Sequence, residues 1–385
     1  MTKTSEKDTK KDFLKLLEDK YNAYFEPEVF RTGIIPLDLV LNGGLETGSI
    51  IELSGESQSG KSTLVLHLVR KMAESGFKTL YIDSEGSVKD DMIRGIGLSE
   101  YQSTKTNKNN LFTVVRQSGY KAVEDLIDAA LMTKEYKLFV IDSLSALAND
   151  EYLEIDSDKS ATETRIGLDA QLTSRLLKKL NALKTDYNCI FILINQTRLQ
   201  MNGYVTSYAS TGGQAVKFYP DIRLFMKVKE KIYEQKELII GNTKVPIGAN
   251  CTIEARKSRL GAGFIPFPIT VYYGKGIHDL SAYAFILPQI KANKKPVLEK
   301  TSTVTYVLHL PSGDYKTTSG EKGVPKLIVE HYNEVEPFVD NYLDEYFKKI
   351  SDGELEASEE IIEKVAPNDI SLDDDLGTQI YMNVE

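Results

Sequence analysis

The stretch that most restricts the fold of this chain is Gly55-Glu56-Ser57-Gln58-Ser59-Gly60-Lys61-Ser62, followed by Thr63. It fits the pattern G-x-x-x-x-G-K-[ST], follows the β-rich run IIELS and opens the helix-periodic stretch STLVLHLVRKMAES. A phosphate-binding loop requires this strand-loop-helix context. The residue types suit the task. Glycines let the backbone turn N–H groups inward, Lys61 supplies a cation to β- and γ-phosphates, Ser62 offers a hydroxyl to Mg²⁺, and the helix adds its positive N-terminal end. The other reading is a chance match in a structural turn, and eight matched positions in the right context weigh against it. ATP and Mg²⁺ are the ligands implied.

Around this loop, β-rich runs and helical periodicity take turns: IIELSG, a helix over 62–75, TLYIDS, a helix over 121–134, KLFVIDS, a helix over 168–184, CIFILINQ, then DIRLFMKV and NCTIEAR. Alternation of this kind predicts an α/β fold, a P-loop NTPase core with a mostly parallel central sheet flanked by helices. The nearly unbroken apolar character of FVI and IFILI suits strands covered on both faces. The last two strands read as antiparallel. From about Pro288 the pattern becomes mixed, with a hairpin in VTYVLHLPSGDYKTT and a helical region over 325–350, which predicts a small α+β domain over 288–351. Ahead of the loop, residues Phe13, Leu16, Leu17, Tyr21, Tyr24 and Phe25 share one helical face, a helix that either caps its own domain or docks on a neighbouring subunit.

In a parallel sheet, sites collect at the carboxyl ends of strands. Asp142 ends KLFVIDS, where a metal-anchoring aspartate belongs. Glu85 follows TLYIDS and can orient an attacking water, with Asp83 as the alternative. Gln196 ends the strand CIFILINQ, where an amide can sense a γ-phosphate. Residues 197–213, TRLQMNGYVTSYASTGG, are predicted as a long functional loop carrying Arg198, Tyr204 and Tyr208 and ending in Gly212 and Gly213.

Charge adds one point. The chain of 385 residues has a net charge of −9, but residues 352–385 hold eleven acidic side chains against the single basic Lys364. The rest is close to neutral, so the overall sign does not exclude a nucleic-acid partner. The tail is predicted as disordered, able to compete with DNA phosphates for a basic groove. No apolar run reaches membrane-spanning length and the first residues lack a secretory pattern, so a cytoplasmic protein with no membrane partner is expected. Cys189 and Cys251 lie in separate apolar strands and read as buried thiols.

The segments GESQSGKST, YIDSEG, VIDSLSAL, LINQTR, TGGQAVKFYPDIRL, EARKSRLGAGF and YGKGI resemble, in order and spacing, the RecA family of DNA strand-exchange recombinases over roughly residues 33–285. Phage UvsX-like members share much of this wording. The resemblance implies a RecA-like core over 31–287, an N-terminal oligomerisation element over 1–30, and two DNA-binding loops at about 151–166 and 197–213. It implies a DNA-dependent ATPase that forms a helical filament on single-stranded DNA and pairs it with homologous duplex. A recombination mediator and a single-strand-binding protein are further partners in keeping with it. By position, Lys61 and Ser62 resemble nucleotide and Mg²⁺ ligands, Glu85 the water-activating glutamate, Asp142 the metal aspartate and Gln196 the γ-phosphate sensor. Lys257 and Arg259 resemble the basic pair that reaches a neighbour's ATP, although without the family they read as a basic turn. Lys217 and Phe218 match an element that links one subunit's site to the next. Lys89 and Met92 stand where the family has an acidic and an aromatic residue near the adenine. A ring-forming helicase on the same core and a coat protein that does not hydrolyse ATP are the rival readings.

Overall fold

The computed structural model describes residues 27–104, 110–149, 162–202, 205–210, 215–238, 241–259, 266–278, 280–292 and 294–351. The expected helix near the N-terminus, the acidic tail and most of the first expected DNA loop lie outside these residues. The strands in chain order are β1 (Val29–Phe30), β2 (Leu45–Glu46), β3 (Ser49–Gly55), β4 (Lys78–Asp83), β5 (Phe112–Arg116), β6 (Tyr136–Asp142), β7 (Ile190–Asn202), β8 (Val205–Ser210), β9 (Ile222–Leu238), β10 (Gly241–Lys257), β11 (Phe267–Tyr272), β12 (Gly276–His278), β13 (Lys291–Ala292), β14 (Lys295–Pro296), β15 (Leu298–Lys300), β16 (Tyr306–Leu310) and β17 (Gly313–Thr317). The α-helices are α1 (Ile35–Val40), α2 (Lys61–Glu74), α3 (Asp90–Ile96), α4 (Tyr120–Met132), α5 (Thr162–Asp186), α6 (Ala215–Phe218), α7 (Leu280–Ile286), α8 (Val324–Glu330) and α9 (Tyr332–Ser351).

A ten-stranded sheet in the order β12-β11-β10-β9-β3-β7-β6-β4-β5, with β8 paired on β7, organises the chain. From β9 through β3, β7, β6 and β4 to β5 every pairing is parallel, and β10, β11 and β12 extend the sheet antiparallel. Every residue of β3 is buried, the polar Ser49, Glu52 and Ser54 included, as a strand covered on both faces requires. Leu64, Val65, Leu68 and Val69 of α2 pack on Ile51, Leu53, Ile192 and Ile194 from one side. On the other side Val123 and Ile127 of α4 and Leu176, Leu177 and Leu180 of α5 cover Ile50, Phe139, Ile141 and Phe191. Cys189 and Cys251 are buried free thiols, both pushed up to about 12 by burial.

The segment over 197–213 departs from its reading as a loop. β7 runs on to Asn202 and pairs antiparallel with β8, Thr197 opposite Ser210 and Asn202 opposite Val205. Arg198-Leu199-Gln200-Met201-Asn202 alternates polar and apolar residues with the period of a strand, a pattern short enough to be passed over among the Thr and Ser residues that follow. Thr162–Asp186 also begins its helix earlier than expected, so the end of the 151–166 segment is helical.

The C-terminal elements are an antiparallel sheet of β15, β16 and β17 with α8 and α9, as the mixed pattern predicts. Their core is continuous with that of the ten-stranded sheet, Val335, Val339 and Leu343 of α9 joining the cluster that contains residues of α2. Arg31 reaches Asp344 at 2.6 Å and lies 4.5 Å from the centre of the Phe347 ring, and Lys71 near the end of α2 meets Glu336 at 3.4 Å.

Beside this contact Asp38 of α1 is 2 % exposed and accepts the Thr32 N–H at 2.8 Å. Burial raises its carboxyl to about 7, against the lowering effect of its Thr32 hydrogen bonds and Arg31. Because the folded value lies above the ordinary carboxyl value, the protonated form is favoured by folding, and stability falls as pH rises from about 4 to 7. Asp38→Asn is expected to remove this decline and to gain roughly 1 to 3 kcal/mol on the wild type between pH 5 and pH 8. Urea unfolding of both proteins across that range measures it.

Candidate nucleotide-binding site

The phosphate loop leaves the carboxyl end of β3 at the centre of the sheet. A Cβ on Gly55 would lie 2.3 Å from the Met226 carbonyl oxygen of β9, so only glycine allows this close approach. Gly60, at φ +91°, precedes α2, and a Cβ there would meet the Val271 side chain at 2.7 Å. No side chain caps this helix end, so its first N–H groups remain available to an anion. Lys61 is buried, its Nζ donating to the carbonyl oxygens of Glu56 at 2.6 Å and Gly55 at 3.2 Å. Burial lowers the ammonium pKa, while Asp142, Glu85 and Glu56 favour the charged form.

Opposite the loop, the parallel register sets Asp83 beside Asp142 and the end of β7 beyond. Ser62 Oγ donates to Asp142 Oδ2 at 2.7 Å, and the buried Tyr81 hydroxyl donates to the same oxygen at 2.6 Å. Burial raises the Asp142 carboxyl and these two donors oppose the rise. Glu85 Oε1 accepts the Gln196 amide at 2.8 Å and the Ser143 hydroxyl. Asp83, the alternative to Glu85, instead accepts the N–H groups of Ser87 and Val88 at 3.0 Å and holds the turn after β4.

Ser57, Gln58, Ser59, Gly60, Lys61, Ser62 and Thr63 line a cavity of about 780 Å³ together with Glu85, Asp142 and Gln196. Lys89 and Met92 also line it, as does the turn Tyr273-Gly274-Lys275 after β11. The Tyr273 hydroxyl donates to the Gln58 carbonyl oxygen at 3.0 Å, fixing that turn to the phosphate loop. The chemistry fits Mg²⁺: a hydroxyl and a carboxylate converge at one point beside a phosphate cradle, and Mg²⁺ prefers few protein oxygens with substrate phosphates and water.

Lys257 and Arg259 do not line this cavity. Lys257 Nζ donates to the carbonyl oxygens of Phe218 at 2.7 Å and Pro220 at 2.6 Å, just past α6. Arg259 meets Asp221 Oδ1 at 2.9 Å, and the other oxygen of Asp221 accepts Lys184 Nζ at 2.5 Å and the Ile50 N–H at 2.9 Å. Arg198 and Tyr208 fall on β7 and β8, whereas Tyr204, Gly212 and Gly213 lie outside the described residues.

Sequence reasoning missed Tyr81, Ser143, Tyr273, Asp221 and the fully buried Glu52. Glu52 accepts Asn195 of β7 at 3.0 Å and Arg223 of β9 at 2.5 Å, joining three neighbouring strands by side chains. A glutamate inside the apolar strand IIELS was the available signal, since a buried carboxylate demands partners.

The RecA N-terminal domain family matches residues 2–278 of the chain. Protein RecA of Bartonella bacilliformis is 32% identical over 257 residues, covering 66% of this chain and 68% of that protein. Protein RecA of Blastochloris viridis is 31% identical over 260 residues, covering 67% and 69%. A match over most of the chain, on a mixed α/β fold whose phosphate loop, Glu85, Asp142 and Gln196 meet at the carboxyl edge of the sheet, identifies the protein as a member of the RecA family.

Proposed function

We propose that this protein is an ATP-dependent recombinase that forms helical filaments on single-stranded DNA, pairs it with homologous duplex and exchanges strands, hydrolysing ATP where subunits adjoin. The observation that carries the reading is the position of Gln196, which donates to Glu85 and is the last residue before the extension of β7 that pairs with β8. One amide thus sits between a candidate hydrolytic carboxylate and a candidate DNA-binding hairpin.

In this reading Lys61 exchanges its carbonyl partners for β- and γ-phosphates, and the N-terminus of α2 receives the rest of their charge. Glu85, oriented by Gln196 and Ser143, takes the proton of the attacking water. Ser62 and Asp142 are the residues that would hold Mg²⁺, which when bound neutralises charge on the phosphates. Gln196 shifts its amide between Glu85 and the γ-phosphate, and the change passes to β8. Lys257 and Arg259 serve the neighbouring subunit's nucleotide, so turnover depends on assembly.

DNA is met along 151–166 and 197–213, with Arg198, Tyr204, Tyr208, Gly212 and Gly213 among the contacts. Binding to phosphates makes affinity salt-dependent and blind to sequence. A mediator and a single-strand-binding protein are the partners such a filament calls for, in the cytoplasm of a bacterial or phage-infected cell. ATP turnover is expected to rise on adding single-stranded DNA, and circular single strands with linear homologous duplex are expected to yield exchanged products. Turnover indifferent to DNA, with no joint molecules, would remove this function.

A further inference from the structure

We propose that Tyr81 is a positioning residue for the metal-binding carboxylate, its hydroxyl holding Asp142 in the orientation that an ion beside Ser62 requires. On β4, Tyr81 shares its face of the sheet with Thr79 and Asp83, and its side chain is fully buried among Val65, Val140 and Phe112. Its ring stands edge-on to Phe112, with centroids 6.2 Å apart at 85°. Phenylalanine would serve the packing alone. The additional oxygen is fully buried and so needs a partner, and it donates to Asp142 Oδ2 at 2.6 Å.

Two hydroxyls therefore converge on one carboxylate oxygen, Ser62 from α2 and Tyr81 from β4. They are not equivalent. Ser62 faces the cavity and is itself a candidate ligand, so its oxygen is wanted by the ion, whereas Tyr81 does not line the cavity and approaches from within the core. When Ser62 turns to the ion, Tyr81 is the donor that stays. Groups that hold a ligand from behind in this way set its direction, and losing one typically costs about 10 to 100-fold in metal affinity.

This inference rests on the nucleotide-site reading and deepens it. The test is Tyr81→Phe in the full-length protein, with affinity for a fluorescent ATP analogue measured in EDTA and across a Mg²⁺ titration, alongside thermal unfolding. In EDTA the variant is expected to bind the analogue as the wild type does, which shows an intact phosphate loop. The gain in affinity produced by Mg²⁺ is expected to shrink by about tenfold or more, with half-saturation moved to higher Mg²⁺. A full Mg²⁺-dependent gain in the variant, whatever its unfolding temperature, overturns the assignment. Equal loss of affinity with and without Mg²⁺ also overturns it, by making Tyr81 a matter of packing. If the wild type itself gains nothing from Mg²⁺, the nucleotide-site reading fails first and the role of Tyr81 goes with it.

Discussion

Lys61→Ala is expected to lower ATP turnover by about a thousandfold while leaving the protein at least as stable as before. The two halves of this result have separate causes. Turnover falls because Lys61 is the only lysine of the phosphate loop itself, whereas Lys89 and Lys275 line the cavity from the segments after β4 and β11. Stability holds because the lysine contributes little to the fold: its Nζ is bound to the carbonyl oxygens of Gly55 and Glu56, and burial already disfavours its charged form. Removing a buried cation of this kind relieves desolvation, which offsets the lost hydrogen bonds. A steady-state ATPase assay and a thermal melt decide the matter. Substantial hydrolysis by the variant refutes the role of the phosphate loop, and a collapse of the melting temperature refutes the view that Lys61 serves the ligand and not the fold.

Arg259→Ala is expected to keep nucleotide binding and to lose DNA-stimulated turnover by about a thousandfold, the effect of removing an arginine supplied across an interface. The side chain is 60 % exposed and its partner Asp221 keeps both Lys184 and the Ile50 N–H, so the free subunit is little disturbed. Mixing separates action across an interface from action within one chain. In an equal mixture of the Lys61→Ala and Arg259→Ala proteins, about a quarter of head-to-tail junctions unite an intact Lys61 on one side with an intact Arg259 on the other. Two nearly inactive proteins are then expected to regain a measurable share of wild-type turnover on single-stranded DNA. No recovery, with co-assembly shown by electron microscopy, removes the role in trans.

The residues that were legible in the sequence share a physical property: each is fixed by a local pattern. The phosphate loop is contiguous, and Glu85, Asp142 and Gln196 follow apolar runs whose ends a parallel sheet brings to one edge. The contacts that hold those residues were not legible. Tyr81 meets Asp142 across 61 residues, Arg223 meets Glu52 across 171 and Lys184 meets Asp221 across 37. Such pairs depend on strand order, and nothing in the wording of TLYIDS distinguishes a tyrosine that packs from one that also donates. Lys257 and Arg259 were singled out by resemblance alone, and nothing in the sequence indicated their attachment to the carbonyl oxygens of Phe218 and Pro220 and to Asp221. The hairpin of β7 and β8 was hidden for another reason, since only the short stretch Arg198-Leu199-Gln200-Met201-Asn202 alternates polar and apolar residues, and Val205-Thr206-Ser207-Tyr208-Ala209-Ser210 does not continue the alternation.

The tie from Asn195 through Glu52 to Arg223 makes the middle of the sheet stiff in the direction across its strands. Were β7 to slide against β3, a fully buried carboxylate would keep Arg223 and lose Asn195, a loss of about 1 to 3 kcal/mol. In the proposed mechanism, motion that starts at Gln196, one residue beyond this rivet, would therefore be denied the inward path. The path left open in that reading would run outward along the ribbon of β7 and β8, where among the described residues the strands beyond Gln196 pair only with each other, so that the plate would act as the fulcrum and the hairpin as the lever.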